Sequence, residues 1–186
     1  EKNKYYTSLW MADTETGLCR QFTADGHHDN SPRWSPDGRT IAFISDRNEP
    51  GSQVFLIQPD GGEAEALTKL PEGGVSGLRW SPDGSKIAFT FRATPEERTE
   101  KAQKERKDKG LSSPVRVHCK LFYRLDGMGY FDNSYPQVWV ADVASHEAKA
   151  LTNGPWACGA PAWSPDGDSL LFVSNRRDDS DLMGMY

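Results

Sequence analysis

The sequence is poor in cysteine. Cys19, Cys119 and Cys158 are odd in number and show no CxxC spacing, which argues against a disulfide framework or a zinc or redox site. Buried or inert thiols in a reducing compartment are the expectation, with no metal, no cofactor and a cytoplasmic location. No apolar run approaches the roughly 18 residues that span a bilayer, so no membrane partner is expected. Glu1–Tyr6 lacks the basic flank and apolar segment of a signal peptide. An excess of positive charge is also missing. A net charge of −5 and a pI near 5.4 argue against broad binding to nucleic acid. There is no initiator Met, and the chain closes on Leu182-Met183-Gly184-Met185-Tyr186. It reads as a piece of a larger protein.

Catalytic signatures are equally scarce. Gly74-Val75-Ser76-Gly77-Leu78 is the nearest approach to a Gly-x-Ser-x-Gly elbow, and it fails the spacing. No Walker loop, dinucleotide fingerprint or His-Glu-x-x-His is present. His27-His28-Asp29 groups metal-ligand residue types, but adjacent side chains diverge, and a polar surface loop is the expected reading over a metal site. His118 and His146 are isolated. No catalytic residue is expected in this chain.

What is present is a repeat. Trp-Ser-Pro-Asp-Gly occurs at Trp34–Gly38, Trp80–Gly84 and Trp163–Gly167, each time leading into an apolar run such as Ile41-Ala42-Phe43-Ile44 or Ile87-Ala88-Phe89. A second apolar element follows (Val54–Ile57, Val138–Asp142), and a third closes the unit (Ala66-Leu67-Thr68, Ala150-Leu151-Thr152). Both later elements also precede the first repeat, as Leu9–Asp13 and Gln21-Phe22-Thr23. Trp80 follows Trp34 by 46 residues, the period of a four-stranded propeller blade. Trp163 follows Trp80 by 83 residues, leaving about 37 for an insertion.

The pentapeptide is a hairpin turn. Pro36, Pro82 and Pro165 supply the fixed φ that starts it. Asp37, Asp83 and Asp166 can bond nearby amides, and Gly38, Gly84 and Gly167 tolerate positive φ. These aspartates are expected to be structural, since a lone turn Asp lacks the clustered oxygens calcium needs. Trp34, Trp80 and Trp163 should pack between blades.

The expected fold is therefore all-β: a partial β-propeller, about three blade equivalents by this period, spanning residues 1–186. Complete blades fall at 31–68 and 77–152, with half blades at 6–23 and 160–186. Such a set cannot close on itself. Its open edges should meet the rest of the parent chain, or a second copy in a homodimer that completes the split blades.

The insertion, residues 93–136, opens on Thr94-Pro95-Glu96-Glu97, which predicts a helix over about Pro95–Lys109 with Thr94 as N-cap. Glu97/Lys101, Glu100/Lys104 and Glu105/Lys109 stand four apart on a helix with almost no apolar face. Val115–Leu125 alternates as a strand does, and Asp126–Tyr130 reads as a turn.

Charged helix, Tyr123-Arg124-Leu125-Asp126-Gly127-x-Gly129-Tyr130, Gln137–Val143 and the later Ser174-Asn175-Arg176 together resemble the propeller domain of the prolyl oligopeptidase family of serine peptidases, in its acylaminoacyl-peptidase and dipeptidyl-peptidase-like branch. The blade motifs alone are equally similar to the periplasmic propeller of the Tol translocation system. The peptidase resemblance implies a propeller that gates and orients short peptides for an α/β-hydrolase domain of the same parent chain. It makes Arg124 a candidate for contact with a substrate carboxylate or carbonyl, against the alternative of a pair with Asp126 or with a neighbouring blade. A non-enzymatic, protein-binding propeller of the Tol type is the other reading.

Overall fold

A computed structural model of the chain describes residues 5–48, 50–115, 117, 124–125, 129–130, 134–159 and 161–177. The apolar runs behind the first two repeated turns form its most buried strands. β4 (Ile41–Ser45) is buried at every residue, and the strand equivalent to it, Lys86–Ala93, is buried from Ile87 through Phe91. Continuous rather than alternating burial follows when a sheet is covered on both faces by its neighbours.

Numbered along the chain, the strands preceding β4 are β1 (Trp10–Ala12), β2 (Cys19–Gln21) and β3 (Asn30–Trp34). After it come β5 (Gln53–Ile57), β6 (Glu65–Ala66), β7 (Gly73–Trp80) and β8 (Lys86–Ala93). The insertion contributes a 3-10 turn (Glu96–Arg98), α1 (Glu100–Asp108), β9 (Arg124–Leu125) and β10 (Gly129–Tyr130). The remainder are β11 (Gln137–Asp142), β12 (Ala148–Ala150), β13 (Ala162–Trp163) and β14 (Leu170–Leu171).

Two four-stranded antiparallel meanders result, β3-β4-β5-β6 and β7-β8-β11-β12. Two-stranded sheets flank them, β1-β2 before and β13-β14 after. This is a partial β-propeller, two whole blades between an outer half and an inner half. The inner strands β3, β7 and β13 lie side by side and so define the propeller axis.

Apolar side chains between successive sheets hold the blades together. One cluster joins β1 to the first whole blade through Leu9, Ile41, Phe43, Phe55 and Ile57. The other joins the two whole blades, with Ala42, Ile44 and Val54 on one side and Leu78, Ile87 and Phe89 on the other. Full burial of each Phe stabilises by about 1.5–3 kcal/mol, so these interfaces carry most of the cohesion.

The inserted helix starts later than Thr94-Pro95-Glu96-Glu97 implies. Pro95 is extended (φ −54°, ψ 139°), and the N-cap of α1 is Thr99, whose hydroxyl accepts from the Ala102 amide. Tertiary contact decides between the two starts. The Thr94 amide donates to the Glu72 carbonyl, and the Glu72 carboxylate accepts from the Glu100 amide, so the inter-blade loop holds residue 94 at the sheet and caps the helix five residues further on. None of the three Glu/Lys pairs closes to an ion pair among the described residues. Val115 and Val117 are exposed and outside any strand. The rest of the alternating stretch, Arg116 and His118–Tyr123, and the turn residues Asp126–Met128, lie outside the described residues.

Candidate functional site

In an antiparallel meander, the turns between strands one and two all emerge at one end of the blades. Here that end carries the repeated pentapeptides. The Gly38 amide donates to the Ser35 carbonyl, and Gly38, Gly84 and Gly167 have φ of 70°, 73° and 78°. Asp37 accepts from the Ser35 hydroxyl at 2.6 Å and the Arg39 amide at 3.0 Å, and Asp83 from the Ser81 and Ser85 hydroxyls at 2.6 and 2.7 Å. Asp166 is bound in the same way by Ser164 and the Asp168 amide. Hydroxyl donation from Ser81, then Ser85, lowers the Asp83 pKa to about 2. Asp37 and Asp166 are lowered for the same first reason, by Ser35 and Ser164.

Two of the three repeat tryptophans link blade to blade, whereas Trp34, with no inner strand before it among the described residues, is 53% exposed rather than packed between blades. Trp80 Nε1 donates to the Arg33 carbonyl and Trp163 Nε1 to the Arg79 carbonyl, each at 3.0 Å. Each indole thus reaches the residue just before the Trp of the preceding blade.

The opposite end carries the inter-blade loops and the insertion. Arg124 is exposed there, on β9, with Tyr130 opposite it in the β9-β10 hairpin. Its alternative partner Asp126 lies outside the described residues. The His27-His28-Asp29 loop divides. The Asp29 side chain is fully buried and its Oδ2 takes an ion pair from Arg47 Nη2 at 2.7 Å. His28 instead faces Asp46, its amide donating to the Asp46 carboxylate at 2.8 Å. Among the described residues no group of three or more His, Cys, Asp or Glu could hold a metal. Of the cysteines, Cys19 is exposed and Cys158 buried, and Cys119 lies outside the described residues. Ser76 sits within β7, its hydroxyl 2.6 Å from that of Thr90. His146 occupies the exposed β11-β12 turn at φ 60°.

Two constellations escaped the sequence reading. Arg47 lies over the rings of Phe43 and Phe55, 5.2 and 5.1 Å from their centroids, while its Nε donates to Ser45. The signal was the recurrence of Ser45-Asp46-Arg47 as Ser174-Asn175-Arg176, where Arg176 again covers the matching Phe172 ring. The second is a Gln–Thr clamp across strands three and four. Thr68 donates to Gln53 Oε1 and accepts from the Val54 amide; Thr152 does the same with Gln137 and the Val138 amide. Gln precedes Thr by 15 residues in both blades.

The family model of the dipeptidyl peptidase IV N-terminal region matches residues 2–95, just over half of the chain. The chain belongs to that family. An uncharacterized peptidase of Bacillus subtilis (strain 168), YuxL, is 39% identical over 181 residues, 97% of this chain and 27% of the relative. This member of the dipeptidyl peptidase IV N-terminal family thus spans about a quarter of that relative's length. Among solved structures, the uncomplexed acylaminoacyl peptidase of Pyrococcus horikoshii superposes with a TM-score of 0.58 at 18% identity, over 87% of this chain and 22% of that one. TolB from Acinetobacter baumannii gives 0.54 at 20%, over 92% and 33%. At these identities the two structures establish the propeller fold.

Proposed function

We propose that this chain is the propeller segment of a serine peptidase, gating and orienting short peptides for an α/β-hydrolase domain elsewhere in the same polypeptide. The observation that carries the reading is the 39% identity to a peptidase across 97% of the chain, while covering 27% of that peptidase. In the parent, a hydrolase-domain serine would attack the peptide carbonyl, with His as base and an oxyanion hole for the intermediate. The propeller would restrict access by size, and Arg124, exposed on the inserted hairpin, would hold a substrate carboxylate or carbonyl. A cytoplasmic location belongs to the same proposal.

The test is hydrolysis of short and long peptide p-nitroanilides by the full-length parent. Short substrates should be cleaved, with sensitivity to a serine-directed inhibitor, and peptides of several tens of residues spared. Absence of inhibitor-sensitive turnover sinks the reading. Arg124→Ala should raise KM about tenfold, the loss of one charge-assisted contact, and leave kcat nearly unchanged.

The likeness to TolB favours a second reading, a propeller that binds another protein without catalysis. Full-length protein that forms a stable complex with a protein partner and cleaves none of these substrates would establish it.

A further inference from the structure

The inner strands carry one feature that the turns, clamps and clusters do not use. Arg33 on β3 and Arg79 on β7 occupy the same register. Arg33 stands opposite Ala42 and Arg79 opposite Ala88, each one residue before the repeat Trp. Both are exposed. The strands that bear them are neighbours at the axis, joined by the 3.0 Å bond from the Trp80 indole to the Arg33 carbonyl. Each guanidinium donates through Nη1 to the carbonyl of the residue before it, Pro32 or Leu78. Neither forms an ion pair with a described acid, and Nε and Nη2 of both have no described partner. The turn carboxylates that follow them in sequence, Asp37 and Asp83, are bound by their own serines.

Arg33 and Arg79 thus place two like charges at one register of adjacent inner strands, with no described carboxylate paired to either. A guanidinium fork matches a carboxylate in shape, and two forks on adjacent strands can share one. We propose that Arg33 and Arg79 form a basic rung at the axis that binds the carboxylate of a short peptide. The inference rests on the peptide-orienting reading above, to which it adds the substrate class and the residues that recognise it.

A free C-terminus and an acidic side chain offer the same chemistry, so the probes separate them. N-acetyl-tetraalanine with a free carboxylate, its C-terminal amide, and an amidated tetrapeptide with one internal Glu are titrated calorimetrically into this chain. The free acid should bind and the amide should bind at least about tenfold more weakly, as loss of charge-assisted hydrogen bonds predicts. The Glu peptide binding like the acid assigns the rung to side-chain carboxylates; binding like the amide assigns it to the C-terminus. R33Q/R79Q should lose the preference for the acid, and R33K/R79K should retain part of it. Circular dichroism on both variants secures that the fold is intact. Equal binding of acid and amide, no binding, or an unchanged preference in a folded R33Q/R79Q variant overturns the proposal. Carboxylate binding here without peptidase activity in the full-length parent would remove the peptidase reading and leave the rung standing. Peptidase activity without carboxylate preference would do the reverse.

Discussion

At Ser31 the backbone has φ of 55°, and the matching residue of the next blade is Gly77 at 68°. Both sit where the inner strand shifts register against its neighbour, between Asn30 and Arg33 in one blade and Ser76 and Arg79 in the other. A bulge of this kind needs a left-handed residue, and a side chain there costs about 1–2 kcal/mol. Glycine avoids that strain but loses about 0.5–1 kcal/mol in chain entropy. Ser31→Gly should therefore stabilise, and Gly77→Ala destabilise, each by at most about 1.5 kcal/mol. Urea midpoints of the two variants check the pair; a more stable Gly77→Ala would refute the strain argument. Asp83 gives the pH dependence. Its pKa in the fold is about 2 against an ordinary 3.8. A carboxylate depressed on folding adds stability that is complete above the unfolded value and lost as pH falls through the folded one. The turn should weaken between about pH 4 and pH 2, and Asp83→Asn should flatten that part of the acid unfolding curve. An unchanged acid limb in the variant would show that the carboxylate's bonds to Ser81 and Ser85 contribute nothing.

Among the elements, the β3-β4-β5-β6 blade holds a buried ion pair where the next blade is apolar. Asp29 corresponds to Val75, one repeat of 46 residues later, and both are buried. Removing Arg47 strands the Asp29 carboxylate, which has no exposed surface and one oxygen already without a described partner. Arg47→Met should cost about 3–5 kcal/mol. The double change with Asp29→Val should recover most of it, because nothing charged remains buried. A double mutant as unstable as the single would mean the guanidinium matters through its stacking on Phe43 and Phe55 rather than through the pair. Thr99→Ala should lose about 1 kcal/mol of helix stability by removing the cap. Since α1 buries no residue, the cost should appear as proteolysis within 100–108 and not as a lower melting temperature. This contrast also marks what the sequence could reveal. Repeated turns, apolar runs and the 46-residue period are local signals, and they specify blades and half blades directly. The start of α1 was hidden because Thr94 and Thr99 are both competent caps and the choice is made by Glu72, over twenty residues away. The Asp29–Arg47 pair was hidden for a similar reason. Two flanking histidines made Asp29 look like part of a surface cluster, while its partner comes from the end of a strand two elements on.

Across the whole molecule, each sheet is completed by the one that follows it. Leu56 of the first whole blade and Trp139, Val143 and Ala148 of the second all pack against the cluster that joins the two blades. Val140, which the Gln–Thr clamp aligns with Leu56, instead lines an open groove of about 770 Å³ with Lys86, Leu151 and Trp163. On the same side Leu171 and Val173, the counterparts of buried Ala42 and Ile44, are each 78% exposed. At the other end of the array Trp10, the counterpart of Trp139, is 65% exposed and Trp34 53%. The two ends are complementary. β1-β2 has the third- and fourth-strand pattern that β13-β14 lacks, and Trp10 would pack at the open joint as Trp139 packs at the joint of the two whole blades. Trp34 Nε1 would meet the Ala162 carbonyl, repeating the bonds of Trp80 and Trp163. In a longer parent, other blades of the same polypeptide can take these places. For this chain alone the expected outcome is head-to-tail association into a homodimer of 20.7 kDa protomers, with β1-β2 of each copy completing the β13-β14 sheet of the other. Sedimentation equilibrium should give the dimer mass at micromolar concentration, and Leu171→Asp or Trp10→Asp should return the monomer, because either places an unpaired charge in the joint. Far-ultraviolet circular dichroism should be unchanged by both substitutions, since neither residue is buried within the single chain. A wild-type chain that sediments as a monomer would mean that exposed edge strands of this propeller are tolerated in water and that closure contributes little to its stability. Association that survives both substitutions would place the contact elsewhere, and the exposed Val115 and Val117 of the insertion would be the next surface to change.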